Sequence, residues 1–124
     1  METAPGLDED RLKDLVTRFY ARVRQDPDLG PVFNDAIEDW PAHLGQLTDF
    51  WSSVMLRSGR YQGNPMMAHM KHQAKLTPAL FARWLELWTR TTAETMPEPA
   101  AAALQDRAAR IARSLQMALF PSTH

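Results

Sequence analysis

The chain contains no cysteine. That excludes a disulfide framework and any metal site built on thiolates. No apolar run approaches the length needed to cross a bilayer, so a membrane partner is not expected. The first ten residues are acidic and hold no apolar core, which is not the pattern of a secretory signal. The formal net charge is −1, and the basic residues are scattered rather than gathered into a stripe. A nucleic-acid partner is therefore excluded as well. Strand alternation and internal repeats are absent.

What is present suits one cytoplasmic domain over residues 1–124, with flexible ends expected at 1–7 and 121–124. Hydrophobic residues make up 44 % and aromatics 9 %, which is too apolar for a disordered chain. Proline divides the sequence into helices. The first is predicted over residues 9–25, capped by Asp8, with Leu7 and Leu12 placed to staple across the cap. Leu12, Leu15, Val16, Phe19, Tyr20 and Val23 share its apolar face, and Asp26-Pro27 stops it. A loop, Asp28-Leu-Gly-Pro31, leads to a short amphipathic turn at 32–37 that carries Phe33. The next long helix is predicted from Pro41 to about Arg57 with Asp39 as cap, ended by Ser58-Gly59. Its stripe is Leu47, Phe50, Trp51 and Val54, and His43 falls on the same stripe. A polar ring on an apolar face needs a partner, because burying an unpaired polar group costs about 1–3 kcal/mol.

A loop through Tyr61 and Gly63 delivers Pro65 and a short methionine-rich segment centred on His69. Thr77 and Pro78 open the following helix, with Leu76 stapled to Phe81 and an inner face of Phe81, Trp84, Leu85 and Trp88. Met96-Pro97 ends it. The last helix grows from Ala100–Ala103 and presents Leu104, Ala108, Ile111, Leu115 and Leu119 before Phe120-Pro121. The expected fold is all-α, with four long helices and two short ones.

Four long helices would make a plain bundle, but three features depart from that pattern. The inner faces carry eight large rings: Phe19, Tyr20, Phe33, Phe50, Trp51, Phe81, Trp84 and Trp88. Three inner positions, Tyr20, His43 and Trp84, offer hydrogen-bond donors. A short proline-opened segment with a central histidine interrupts the bundle. An apolar slot with one imidazole on one wall and donors on the other is what an iron porphyrin needs to bind a small diatomic ligand.

Four runs then carry a family resemblance. They are Phe19-Tyr-Ala-Arg-Val-Arg-Gln-Asp-Pro-Asp-Leu-Gly-Pro-Val-Phe33, His43-Leu-Gly-Gln-Leu-Thr-Asp-Phe-Trp51, Tyr61-Gln-Gly-Asn-Pro-Met-Met-Ala-His69 and Phe81-Ala-Arg-Trp-Leu-Glu-Leu-Trp88. In this order, and within a match from Leu12 to Leu119, the chain resembles a group III truncated haemoglobin. The resemblance implies an abbreviated globin fold, a two-on-two helical sandwich around one non-covalent haem b. It implies His69 as the proximal iron ligand, Tyr20 and His43 as the distal tyrosine and histidine, and Trp84 as the distal tryptophan. Leu47 is implied over the haem face and Phe33 as the ring that wedges it. Haem contacts are thereby expected at Phe33, His43, Leu47, Tyr61, Met66, His69, His72, Phe81 and Trp84, and gas-ligand contacts at Tyr20, His43 and Trp84.

The stretch after His69, Met-Lys-His-Gln-Ala-Lys, is longer than the family pattern. It raises His72 as a rival ligand, three residues on and near enough on a helix to share a face; the alternative for His72 is the haem edge or solvent. A zinc site on His69 and His72 would need further ligands, and no His-Glu-x-x-His pattern supplies them. Met66, Met67 and Met70 read as adaptable gap-fillers, or as thioether ligands to iron. His124 is terminal. Two function classes follow: a binder of O2, NO or CO at five-coordinate iron, or a haem redox enzyme acting on nitric oxide or peroxide with an external reductase. A haem-free helical interaction domain is a third. A monomer or weak dimer is expected.

Overall fold

In the computed structural model, residues 5–120 are described. The expected flexibility of residues 1–4 and 121–124, and the place of His124, lie outside the described residues. Six α-helices and one 3-10 turn account for the order: α1 Glu9–Gln25, α2 Leu29–Ala36, α3 Trp40–Leu56, α4 Pro65–Met70, α5 Pro78–Thr95 and α6 Glu98–Leu119, with the turn at Gln73–Lys75 between α4 and α5. Helix α1 pairs with α3 and α5 pairs with α6, and α1 also packs on α5. No strand occurs among the described residues.

The caps follow from the sequence. Asp8, Asp39, Asn64 and Thr77 each accept a hydrogen bond from the backbone N–H three residues on, satisfying a donor that the first helical turn leaves open. Leu7 is buried beside Leu12 in the main core, as a staple across the first cap requires. All six residues expected on the apolar face of α1 are buried.

Helix α2 begins at Leu29, so the expected loop at 28–31 is helical instead. The reason is Asp26. Its carboxylate accepts the N–H groups of Leu29 at 2.9 Å and Asp28 at 3.1 Å, capping a helix from outside it. Pro31 sits in the first turn, where its missing N–H costs nothing. Gly30 permits the close approach of α2 to α1, since a Cβ there would stand 2.7 Å from the Arg24 carbonyl oxygen. Helix α3 ends at Leu56, one residue sooner than expected, with Arg57 taking the left-handed conformation at φ 59°.

Tryptophan holds the helices together. Trp88 of α5 is fully buried and stacks on Trp51 of α3 at 4.5 Å and on Trp84 at 5.5 Å. Its indole N–H donates to the Leu104 carbonyl of α6 at 3.1 Å. Phe19 of α1 meets both Trp84 and Trp88 edge-on. One ring therefore joins all four long helices.

Asp26 also ties the α1–α2 corner to α5. Arg83 reaches its carboxylate through Nε at 2.8 Å and a terminal nitrogen at 2.7 Å, and the Asp26 side chain is only 2 % exposed. Burial pushes this carboxyl up. The Arg83 hydrogen bond, the two backbone N–H groups and the guanidinium charge outweigh it and hold the group below the usual carboxylate range. A lowered folded pKa adds stability above the unfolded value and loses it as pH falls through the folded one. Arg83→Met strands a buried carboxylate and is expected to cost about 2 kcal/mol, less than for a fully buried pair because Arg83 is partly open to water. Thermal unfolding at neutral pH should drop by about 6–10 °C. At pH 3 and below the gap from the parent protein should shrink.

Candidate functional site

His69 lies in the last turn of α4, a helix of six residues. So short a helix is not stable alone. Here Pro65 opens it, Asn64 caps it, and Met66 packs against a small core cluster of Phe81, Ala112, Leu115 and Leu119. The following turn is anchored by Gln73, whose amide donates to the Leu119 carbonyl at 2.7 Å, and by the Lys75–Asp35 ion pair. Within α4 the Nδ1 atom of His69 stands 2.7 Å from the Pro65 carbonyl oxygen. A carbonyl can only accept, so Nδ1 carries a proton, and in the neutral ring the lone pair is then on Nε2. A metal-binding imidazole is commonly fixed in this way, through its second nitrogen. The His69 ring is half-buried and lies 6.4 Å from Phe81 at a 30° tilt.

The polar residues expected opposite it gather around α1. Tyr20 is 3 % exposed and meets Phe19 edge-on at 4.7 Å and Phe33 at 5.8 Å. Burial pushes its phenol up to about 12, while the Trp84 indole N–H, which can only donate, acts in the opposite sense. Tyr20 thus keeps its proton throughout the physiological range. His43 is half-buried, and loss of hydration lowers its pKa, so the ring is neutral at pH 7. It packs perpendicular to Trp40 at 5.9 Å.

The two groups belong to two apolar clusters. The larger holds Tyr20, Trp40, Trp51 and Trp88, and the smaller holds Phe81, Ala112, Leu115 and Leu119. Leu85 and Ile111 pack against both. Small domains usually build one contiguous core. Here a seam of side chains packed against the larger cluster, among them Phe33, Leu44, Leu47, Phe50, Val54 and Trp84, is only half-buried. The stripe expected to be the core face of α3 is this seam, and only Trp51 of its four members is fully buried. A flat apolar group would cover it, at about 25 cal/mol for each Å² removed from water.

The remaining candidates divide. Tyr61 meets Phe50 edge-on at 5.3 Å, its backbone N–H held by Ser53 Oγ at 2.9 Å. His72 does not share a helix face with His69, because α4 ends at Met70 and His72 becomes the cap of the 3-10 turn. Its charge is felt instead by Asp35, whose carboxyl is lowered chiefly by Lys75 and in small part by His72. Met67 and Met70 are 61 % and 44 % exposed, while Met66 is half-buried. Among the described residues no three His, Asp or Glu side chains come together to hold a metal. Two contributors escaped the sequence reading. The Pro65 carbonyl was legible in its i,i+4 relation to His69, and Trp40 in its i,i+3 relation to His43.

One imidazole with a free Nε2 lone pair, a half-buried apolar seam and a protonated phenol beside an indole fit a haem on a helical sandwich, the site of a haem-binding globin. The family of bacterial-like globins matches residues 4–119. A group 3 truncated haemoglobin, ctb, of Campylobacter jejuni is 30 % identical over 118 residues, 92 % of each chain. The crystal structure of the group III truncated haemoglobin from Campylobacter jejuni superimposes with a TM-score of 0.84 at 30 % identity, over 99 % of this chain and 100 % of that one. The chain belongs to the bacterial-like globins and, among them, to the group III truncated haemoglobins.

The chain has two tyrosines, which makes its alkaline titration readable. A raised folded pKa adds stability below the unfolded value near 10 and loses it as pH rises towards 12. Tyr61, less buried and raised less far, should ionise first. Absorbance at the phenolate band should show one early step in both the parent and Tyr20→Phe proteins. The late step should be missing from Tyr20→Phe alone; a late step that survives there would overturn the assignment.

Proposed function

We propose that this globin holds one haem b per chain, non-covalently, through His69 Nε2, and binds a diatomic gas (O2, NO or CO) on the opposite side. The observation that carries the reading is the His69 Nδ1–Pro65 carbonyl hydrogen bond, which orients the ring and selects the neutral tautomer whose lone pair is on Nε2. Haem b, when bound, would supply an iron able to take a small diatomic ligand. The chain supplies the rest. Phe33, Leu47, Phe50, Tyr61, Met66 and Phe81 offer apolar contact and exclude water. Tyr20 Oη keeps its proton and donates it to a polar ligand, with the Trp84 N–H as second donor. A hydrogen bond to a partly charged acceptor contributes about 1.5–3 kcal/mol.

His43 stands at the entrance of the pocket in this reading, as a neutral ring held by packing. His72 lies at the haem edge. The protein is taken to work in the cytoplasm as a monomer or weak dimer; no helix of the described residues is long and apolar enough to cross a membrane.

Two variants test the axial assignment. His69→Ala, purified with adequate haem, should lose most Soret absorbance, while His72→Ala should keep it. The reverse result would transfer the ligand to His72.

The donor assignment has its own test. Tyr20→Phe keeps the ring and removes one charge-assisted hydrogen bond, so oxygen should dissociate at least about tenfold faster. Stopped-flow displacement of oxygen by carbon monoxide measures this. An unchanged rate would leave the ligand to Trp84 or His43.

A further inference from the structure

Trp40 touches two of the proposed distal residues from one position. Its ring lies 5.9 Å from His43 at 89° and 6.1 Å from Tyr20 at 45°. It is the first residue of α3 and is 8 % exposed, whereas His43, one turn along, is half-buried. The exposed Arg24 places its guanidinium carbon over the same ring, 4.7 Å from its centre. Arg24 is anchored in turn. It belongs to the last turn of α1, and its backbone carbonyl accepts the Asn34 amide at 3.1 Å, beside the close approach that Gly30 allows. A continuous row of contacts therefore runs inward from the surface: guanidinium over indole, then indole perpendicular to imidazole.

The row has a mechanical consequence. An indole has two side-chain torsions, and contacts on several sides leave it little freedom. A planar guanidinium over its face adds a cation–π attraction and covers it from water. The imidazole of His43 is therefore set against a fixed surface. If the indole moves, the imidazole loses the aromatic contact that orients it.

We propose that Trp40, braced from outside by Arg24, holds the His43 ring at the distal entrance, and that this brace sets how fast a diatomic ligand is admitted. The inference rests on the reading of His43 as a gate. Both residues are positioning residues, acting through His43 rather than touching the ligand.

Flash photolysis of the carbon monoxide form of the haem-loaded protein tests it, with His43→Ala, Trp40→Leu, Arg24→Ala and the Trp40→Leu/His43→Ala double variant. Carbon monoxide depends little on hydrogen bonding, so its association rate reports access. His43→Ala and Trp40→Leu should each raise that rate by about threefold or more, and Arg24→Ala should raise it less. In the His43→Ala background, Trp40→Leu should add nothing. A second readout is the proton cross-relaxation between the Trp40 and His43 rings in the diamagnetic carbon monoxide complex. It should weaken in Arg24→Ala and return in Arg24→Lys. Should Trp40→Leu fold poorly, Trp40→Phe and Arg24→Ala carry the same comparison. A Trp40 effect that persists without His43 would mean the indole blocks the path by its own bulk, and the brace falls. A rate unchanged by Trp40→Leu but raised by His43→Ala overturns the brace and keeps the gate. No change on His43→Ala removes the gate and the brace with it.

Discussion

Trp88 has two stacking partners and a hydrogen-bond acceptor for its indole N–H, and each contact comes from a different place. Trp51 belongs to α3, Trp84 lies one turn back on α5, and the Leu104 carbonyl belongs to α6. Phe19 closes the group from α1. A buried indole N–H without an acceptor would be costly, so the position of α6 relative to α5 is specified and not merely favourable. Dense interiors do not deform smoothly, so a change at Trp88 would reach every long helix. The same contacts position Trp84, and through Phe19 they position Tyr20. The side of the fold that carries Tyr20 and Trp84 is in this sense an outgrowth of the core.

The histidine side is built on another principle. Helix α4 is too short to be held by a wide apolar face, and only Met66 of its methionines packs inward. Its geometry comes from local devices: a proline at the first position, an asparagine cap, and a carbonyl four residues before the imidazole. Local devices position one ring well without a large interface. They leave the segment attached to the small cluster around Phe81 rather than to the main core.

Much of this was legible in the chain. The apolar face of α1, the caps at Asp8, Asp39, Asn64 and Thr77, and the count of four long helices and two short ones follow from local chemistry. Each depends on residues within four positions of one another. Asp26 was read as a helix stop; its cap on Leu29, three positions on, is a local signal, whereas its pairing with Arg83 depends on a contact 57 positions away. His72 looked like a neighbour of His69 because a helix was assumed to continue. The chain instead turns at Met70, and Gln73 reaches the Leu119 carbonyl to hold it there.

Trp40 belongs to the same class. As an isolated letter before Pro41 it signals the start of a helix. Only the folded chain brings it against Tyr20 from α1 and beneath the Arg24 guanidinium. The sequence by itself determined the helices, their caps, the family and the residues able to ligate or donate, since these rest on spacing and side-chain chemistry. Tertiary structure alone decided which half-buried side chains form the seam. It also decided which rings stand behind the donors, because each of these depends on the angle at which one helix crosses another, and no local pattern encodes that angle.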